Sequence, residues 1–184
     1  MLRTFLRNKV QAFEKTWNYD ASYQRFLVES APLSALKFGI GASMVDRGAA
    51  PAEALAAAGI AATLAEDCGP CVQIGVDMAA AAGVRAEVLR AILAGDEGAM
   101  GADAALAWRF ARASLARDLE AADPLREAVA RRWGERGLCA IALSITTARM
   151  YPTLKYALGY GKTCSRVTVD GAAAPLAPRP RQAA

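Results

Sequence analysis

The sequence predicts an all-α protein, and three observations carry that prediction. Alanine supplies 44 of the 184 residues; it is the strongest helix former and is small enough to let helices approach closely. Aromatic residues are only 7% of the chain, and no run of β-branched residues reads as a strand. Apolar side chains recur every three or four positions along most of the length, the period of one helix face. At 54% apolar and 22% charged residues, the composition is that of a folded chain. One this long buries roughly 70% of its unfolded surface, enough for a core without staples. A single helical domain is expected over residues 1–165, with a disordered tail at 170–184.

The elements follow in order. Leu2, Leu6, Val10, Phe13 and Trp17 form one stripe of an amphipathic helix, which packs on the domain or on a sister subunit. Asn18 and Asp20 break it, and a second short helix runs to about Glu29. Pro32 restarts the chain, giving a third helix over Leu33 to Val45. Gly48 and Pro51 introduce a helix reaching about Glu66, with the proline near its first turn. Val72 to Ala82 stops at Gly83, and Val84 to Ala94 stops at Gly95. Ala102 to Leu119 is long and amphipathic, with Leu106, Phe110, Ala113 and Arg117 at helical spacing. Asp123-Pro124 reads as a cap and first residue of a helix ending near Gly137. Leu138 to about Leu158 is the most apolar helix, bent or interrupted at Pro152. From Asp170 the tail has too little to bury.

One absence excludes whole classes of chemistry: the chain has no histidine. Histidine-based acid–base catalysis, histidine-liganded metals and Ser-His or Cys-His pairs are therefore ruled out within it. The net charge of +4 is a small excess. Arg131, Arg132 and Arg136 make a modest basic patch without a reading motif, so no nucleic-acid partner is expected. The first residues, MLRTFLRNKVQAFEK, form no signal-peptide core. The apolar stretches Ala54 to Ala65 and Leu138 to Ala148 fall short of the ~18–20 residues of a membrane span. No stable membrane insertion is expected, and the cytoplasm is the expected location.

Cys68-Gly-Pro-Cys71 is the constellation with an immediate chemical reading. Two intervening residues place the thiols close enough to form a disulfide or to bind a soft metal. Pro70 fits the first turn of a helix, whose free amides stabilise thiolate at either cysteine. Asp67 opposes this, or caps the helix. Thioredoxins carry the same tetrapeptide, but after a β-strand; here ALAAAGIAATLAED precedes it, and that is helix. A metal site needs more ligands. Cys139 and Cys164 offer no spacing signature, Cys139 reading as a small buried hydrophobe and Cys164 as more exposed. No metal or other cofactor is expected.

Cys68-Gly-Pro-Cys71, then Gly83-Val84, Leu93-Ala94-Gly95-Asp96 and Phe110-Ala111-Arg112, together resemble the AhpD-like alkylhydroperoxidases of the carboxymuconolactone decarboxylase superfamily. Asp123 to Gly137 resembles that family's penultimate helix, and Ile141 to Met150 the one that closes the domain. The resemblance spans about residues 50–158. It implies an AhpD-like helical bundle, usually oligomeric; the amino-terminal helices outside it are expected from their apolar stripe to pack on this core or on a neighbour. It further implies that Cys71 attacks peroxide and that Cys68 resolves the sulfenic acid as a disulfide. A small dithiol or a partner protein would then restore both thiols. Decarboxylases of the superfamily lack the pair, so lactone decarboxylation is not expected. This chain departs from the pattern at two places. The relay histidine four residues after the second cysteine is Gly75, and the relay glutamate twelve residues before the first is Ala56.

Proton handling is therefore open. Glu66, two residues before Cys68, and Glu53, about one turn before Ala56, are the candidate substitutes. A solvated helix end and a first-turn acid favouring the helix dipole are their structural alternatives. Asp77 should face away from Cys71, Gln73 offers only to orient a water, and Tyr151, Lys155 and Tyr156 reach a pocket only through the fold. The expected function is a thiol–disulfide redox protein, extending to weak hydroperoxidase or antioxidant activity. The competing expectation is a catalytically inactive helical oligomer or small-molecule binding protein of the same fold. A homo-oligomer is expected from the many small residues on apolar helices.

Overall fold

The alanine-rich segment after Pro51 becomes the centre of the fold. Ala54, Ala57, Ala58, Ile60, Ala61, Ala62, Thr63 and Leu64 are all buried, so this helix is apolar around its circumference, as a fully surrounded helix must be. The computed structural model describes residues 1–41, 43–161 and 166–178. The helices are α1 (Leu2–Trp17), α2 (Ser22–Ser30), α3 (Pro32–Gly41), α4 (Ala52–Ala65), α5 (Gly69–Ala81), α6 (Ala86–Ala94), α7 (Ala102–Ala116) and α8 (Leu119–Ala157). Helix α4 packs chiefly on α7 and α8, then on α5 and α6. Trp108, Leu89, Ile92, Leu93, Met100, Val129 and Ile141 fill the space around it. The all-α expectation holds over these helices.

The amino-terminal helices form a second, smaller apolar cluster from Leu6, Val10, Ala21, Val28 and Ala35. This small unit is fastened to the far end of α8 and to the turn just after it. Phe38 meets Tyr151 edge-on at 5.0 Å between ring centroids, and Phe26 meets Tyr160 at 6.2 Å. Lys155 lies 5.7 Å from the Tyr19 ring centre, a cation–π contact.

Several boundaries differ from the sequence expectation. Helix α3 ends at Gly41, short of Val45. Asp118 caps α8, its carboxylate accepting from the Ala121 N–H at 3.0 Å. Asp123-Pro124 therefore lies inside the helix, and Asp123 pairs with Arg126 at 2.7 Å instead of capping. Helix α8 breaks at Gly134 (φ 71°, ψ 177°), not at Gly137. It then runs through Pro152, without interruption, to Ala157.

The carboxy-terminal segment expected to be disordered from Asp170 is placed as far as residue 178. Thr168–Val169 (β1) pairs antiparallel with Ala172–Ala173 (β2). Val167 and Val169 are buried in the main core. Beyond the hairpin, the Ala177 N–H donates to the Leu93 carbonyl at 2.6 Å, and Arg112 donates to the Pro178 carbonyl at 2.8 Å. Residues 179–184 lie outside the described residues. No helix among the described residues is long and apolar enough to cross a membrane.

Candidate functional site

The junction of α4 and α5 creates the cysteine site. Helix α4 ends at Ala65 with Glu66 as its C-cap, and Asp67 adopts a left-handed conformation (φ 54°) that aspartate tolerates better than most residues. This reverses the chain. Cys68 becomes the N-cap of α5, with its carbonyl accepting the Val72 N–H at 2.9 Å. Pro70 falls in the first turn, where its missing N–H costs nothing. Cys71 is brought back onto Cys68, with 5.2 Å between the Cα atoms, and the two sulfurs form a disulfide at 2.15 Å. Both residues are nearly enclosed, at 4% and 3% exposed.

They are not equivalent. Cys71 lines a cavity of about 620 Å³ between the main core and the amino-terminal helices, and Cys68 does not. Cys71, Gly75, Met78 and Ala82 follow one another at helical spacing along the α5 wall. Ala52, Ala56, Gly59 and Thr63 give the α4 wall, and Ser144, Thr147, Ala148 and Tyr151 the α8 wall. A Cβ built on Gly75 would meet only Ile60 Cγ1, at 3.7 Å. Ala56 and Gly75 thus open onto the same cavity as Cys71.

Tyrosines crowd one end of the cavity. Burial pushes the Tyr151 phenol up to about 12, with the nearby Tyr23 adding to it. Tyr23 is raised further, again chiefly by burial and then by Tyr19. Tyr19 is raised by burial, against a hydrogen bond to Tyr23 that lowers it. None of the three is poised as a base near neutrality.

The expected acids sit elsewhere. Glu66 accepts from Arg149 Nε at 2.5 Å, tying the end of α4 to α8. Glu53 lines a separate depression of about 220 Å³ with Arg85, Asp103 and Arg132. Neither belongs to the cavity onto which Cys71 opens. Gln73 holds the hairpin, accepting the Thr168 N–H at 2.7 Å and donating to the Thr168 carbonyl at 3.1 Å. Its amide also donates to Asp77 at 2.8 Å. Tyr156 donates to the Asp67 carbonyl at 2.7 Å, bracing the turn that carries Cys68. Lys155 is buried, and desolvation lowers its pKa.

Cys139 is exposed, which corrects its reading as a buried hydrophobe; the face of α8 it occupies points outward. Cys164 lies outside the described residues. No cluster of three or more metal-ligating side chains occurs among the described residues.

Sequence reasoning did not find Arg149 as the partner of Glu66, nor the enclosing role of Leu6, Val10 and Tyr23. The stripe of small residues down α4 and α5 was the available signal for open space. No family model, no curated protein and no solved structure matches the chain.

Proposed function

We propose that this protein is a thiol–disulfide redox protein in which Cys71 faces the substrate and Cys68 resolves. The observation that carries the reading is the asymmetry of the pair: the two sulfurs are within bonding distance, yet only Cys71 opens onto the apolar cavity. The resemblance to AhpD-like proteins supports the same assignment. The two positions at which it implies relay residues, Ala56 and Gly75, share the cavity with Cys71.

In the reduced protein the Cys71 thiolate attacks the terminal oxygen of an organic hydroperoxide. The O–O bond breaks, an alcohol leaves after taking up a proton, and Cys71 becomes a sulfenic acid. The Cys68 thiolate then attacks the Cys71 sulfur, releasing water and forming the disulfide. The two thiols supply both electrons. A dithiol returns them through two exchange steps, so that it carries the disulfide away. The free amides of the first turn of α5 favour thiolate. With no histidine in the chain and no carboxylate on the cavity wall, water takes the proton, so turnover is slow.

The test is site-resolved alkylation of Cys68 and Cys71 across pH, with and without cumene hydroperoxide. Peroxide should protect both cysteines of the reduced parent by converting them to the disulfide. In Cys71→Ser this protection and the peroxide-dependent consumption of dithiol should disappear. Equal rates in parent and variant overturn the proposal and favour a binding protein without thiol chemistry.

A further inference from the structure

The cavity has a chemical character that the cysteines do not account for. Its volume, about 620 Å³, is within the ~300–1,000 Å³ of small-molecule sites. Among the described residues, the charged side chains on its wall are Lys9 and Arg47, both cations, and no aspartate or glutamate lines it. Both are exposed, so their charges are in contact with water. Among the described residues neither has an ion-pair partner, although Lys9 lies 5.6 Å from the Phe5 ring centre. Of the acids next to wall residues in sequence, Glu14 and Asp20 pair with Arg25, Glu29 with Arg7 and Asp46 with Arg136, Asp77 accepts from Gln73, and Glu53 lines the separate depression.

The remaining polar groups narrow the class of ligand. Ser144 donates to the Leu55 carbonyl, Thr63 to that of Ile60 and Thr147 to that of Leu143. These three protons are thus directed into helix backbones, and Gln24 on the same wall donates to the Tyr23 hydroxyl at 2.9 Å, leaving Tyr19 and Tyr151 as its other polar side chains. An apolar body with one anionic end matches what is left.

We propose that this cavity binds an apolar monocarboxylic acid, its chain lying along the wall formed by Gly75 and Ala56 and its carboxylate between Lys9 and Arg47. A methylene occupies roughly the ~30 Å³ share of a water molecule, so a chain of about twelve carbons needs roughly 400 Å³ and fits. The proposal does not depend on turnover at the cysteines. It holds equally for a redox protein and for an inactive binder.

The experiment is titration of the full chain with dodecanoate, dodecanol and dodecylammonium by calorimetry, with sedimentation run in parallel. Dodecanoate should bind about tenfold more tightly than dodecanol, and dodecylammonium the weakest. Shortening the acid by one methylene should weaken binding about threefold to fourfold. Lys9→Gln with Arg47→Gln should bring dodecanoate down to the affinity of dodecanol and leave dodecanol unchanged; these exposed changes should not disturb folding. Gly75→Leu, on a helix and with its Cβ in ordinary contact with Ile60 at 3.7 Å, should weaken acid and alcohol alike by at least tenfold. Absence of binding by all three probes, a dimer that excludes them, or equal binding of acid and amine overturns the proposal. Unchanged affinity in Gly75→Leu overturns its location.

Discussion

Ala56 of α4 and Gly75 of α5 line one cavity together with Cys71, and between them they present a methyl group and a hydrogen atom. The space is real at the second position, since the nearest neighbour of an added Cβ would be Ile60 at 3.7 Å. A side chain introduced there has room to approach the sulfur one turn earlier on the same helix face.

Gly75→His combined with Ala56→Glu should therefore raise the rate of peroxide-dependent disulfide formation. General acid–base assistance contributes roughly 10²–10⁴-fold when well placed, and an unrefined placement should give about tenfold or more. A neutral imidazole takes the thiol proton, so the gain should grow as pH rises through about 6.5. Stopped-flow measurement of disulfide formation between pH 5.5 and 8 checks both points. A variant no faster than the parent would leave Cys71 without productive access to peroxide.

Glu66→Gln separates a structural acid from a proton carrier. Its carboxylate is engaged by Arg149 at 2.5 Å and bridges α4 to α8. Arg149 is half exposed, so the pair should contribute only about 0.5–1 kcal/mol. Urea unfolding should show that loss, while the alkylation rate of reduced Cys71 stays within twofold of the parent. A tenfold slower reaction would instead give Glu66 a part in proton transfer.

What the sequence made legible is what local chemistry decides. Pro70 in the first turn of α5, the stop at Gly95 (φ 70°) and the pairing of Cys68 with Cys71 all follow from neighbours within a few residues. The break in α8 does not. Gly134 and Gly137 look alike in sequence, and packing separates them: a Cβ at Gly137 would run into Trp133 Cβ and stand 3.0 Å from the Ala49 carbonyl, whereas one at Gly134, which takes φ 71°, would meet nothing within 4 Å. The tail is similar. Val167 and Val169 are too few to order a segment alone, and their burial comes from packing within the main core. The cavity was least visible, because Lys9, Arg47, Ala56 and Gly75 meet only once distant helices are packed.

Gln73 should control the hairpin. Its amide exchanges two hydrogen bonds with the Thr168 backbone, at 2.7 and 3.1 Å. Each is worth about 1 kcal/mol, so Gln73→Ala should cost about 2 kcal/mol locally. The Ala174 N–H, which donates to the Val167 carbonyl at 3.0 Å, reports on this without touching Gln73. Its hydrogen exchange should accelerate roughly tenfold to thirtyfold while amides of α4 stay protected. Unchanged exchange at Ala174 would mean that Val167 and Val169 alone hold the hairpin.

Alkaline stability should fall because of the buried phenols. Burial, reinforced by Tyr23, holds Tyr151 at about 12, against about 10 in an unfolded chain. Between those values the folded protein keeps a proton that the unfolded chain has released, so stability drops as pH rises. Two units correspond to about 2–3 kcal/mol by pH 12. Tyr23 and Tyr19 are raised too and act with the same sign. Lys155 acts with the opposite sign, since burial lowers its pKa. The unfolded chain then binds the extra proton and stability rises with pH, but only until the unfolded lysine titrates near ~10.4. Urea unfolding from pH 8 to 11.5 should accordingly show a decline that begins near pH 10. Tyr151→Phe keeps the ring that packs edge-on against Phe38, so it should match the parent within about 1 kcal/mol at pH 8 and lose less above pH 10. Equal losses in the two proteins would assign the alkaline transition to Tyr23 and Tyr19 and leave Tyr151 without a share in it.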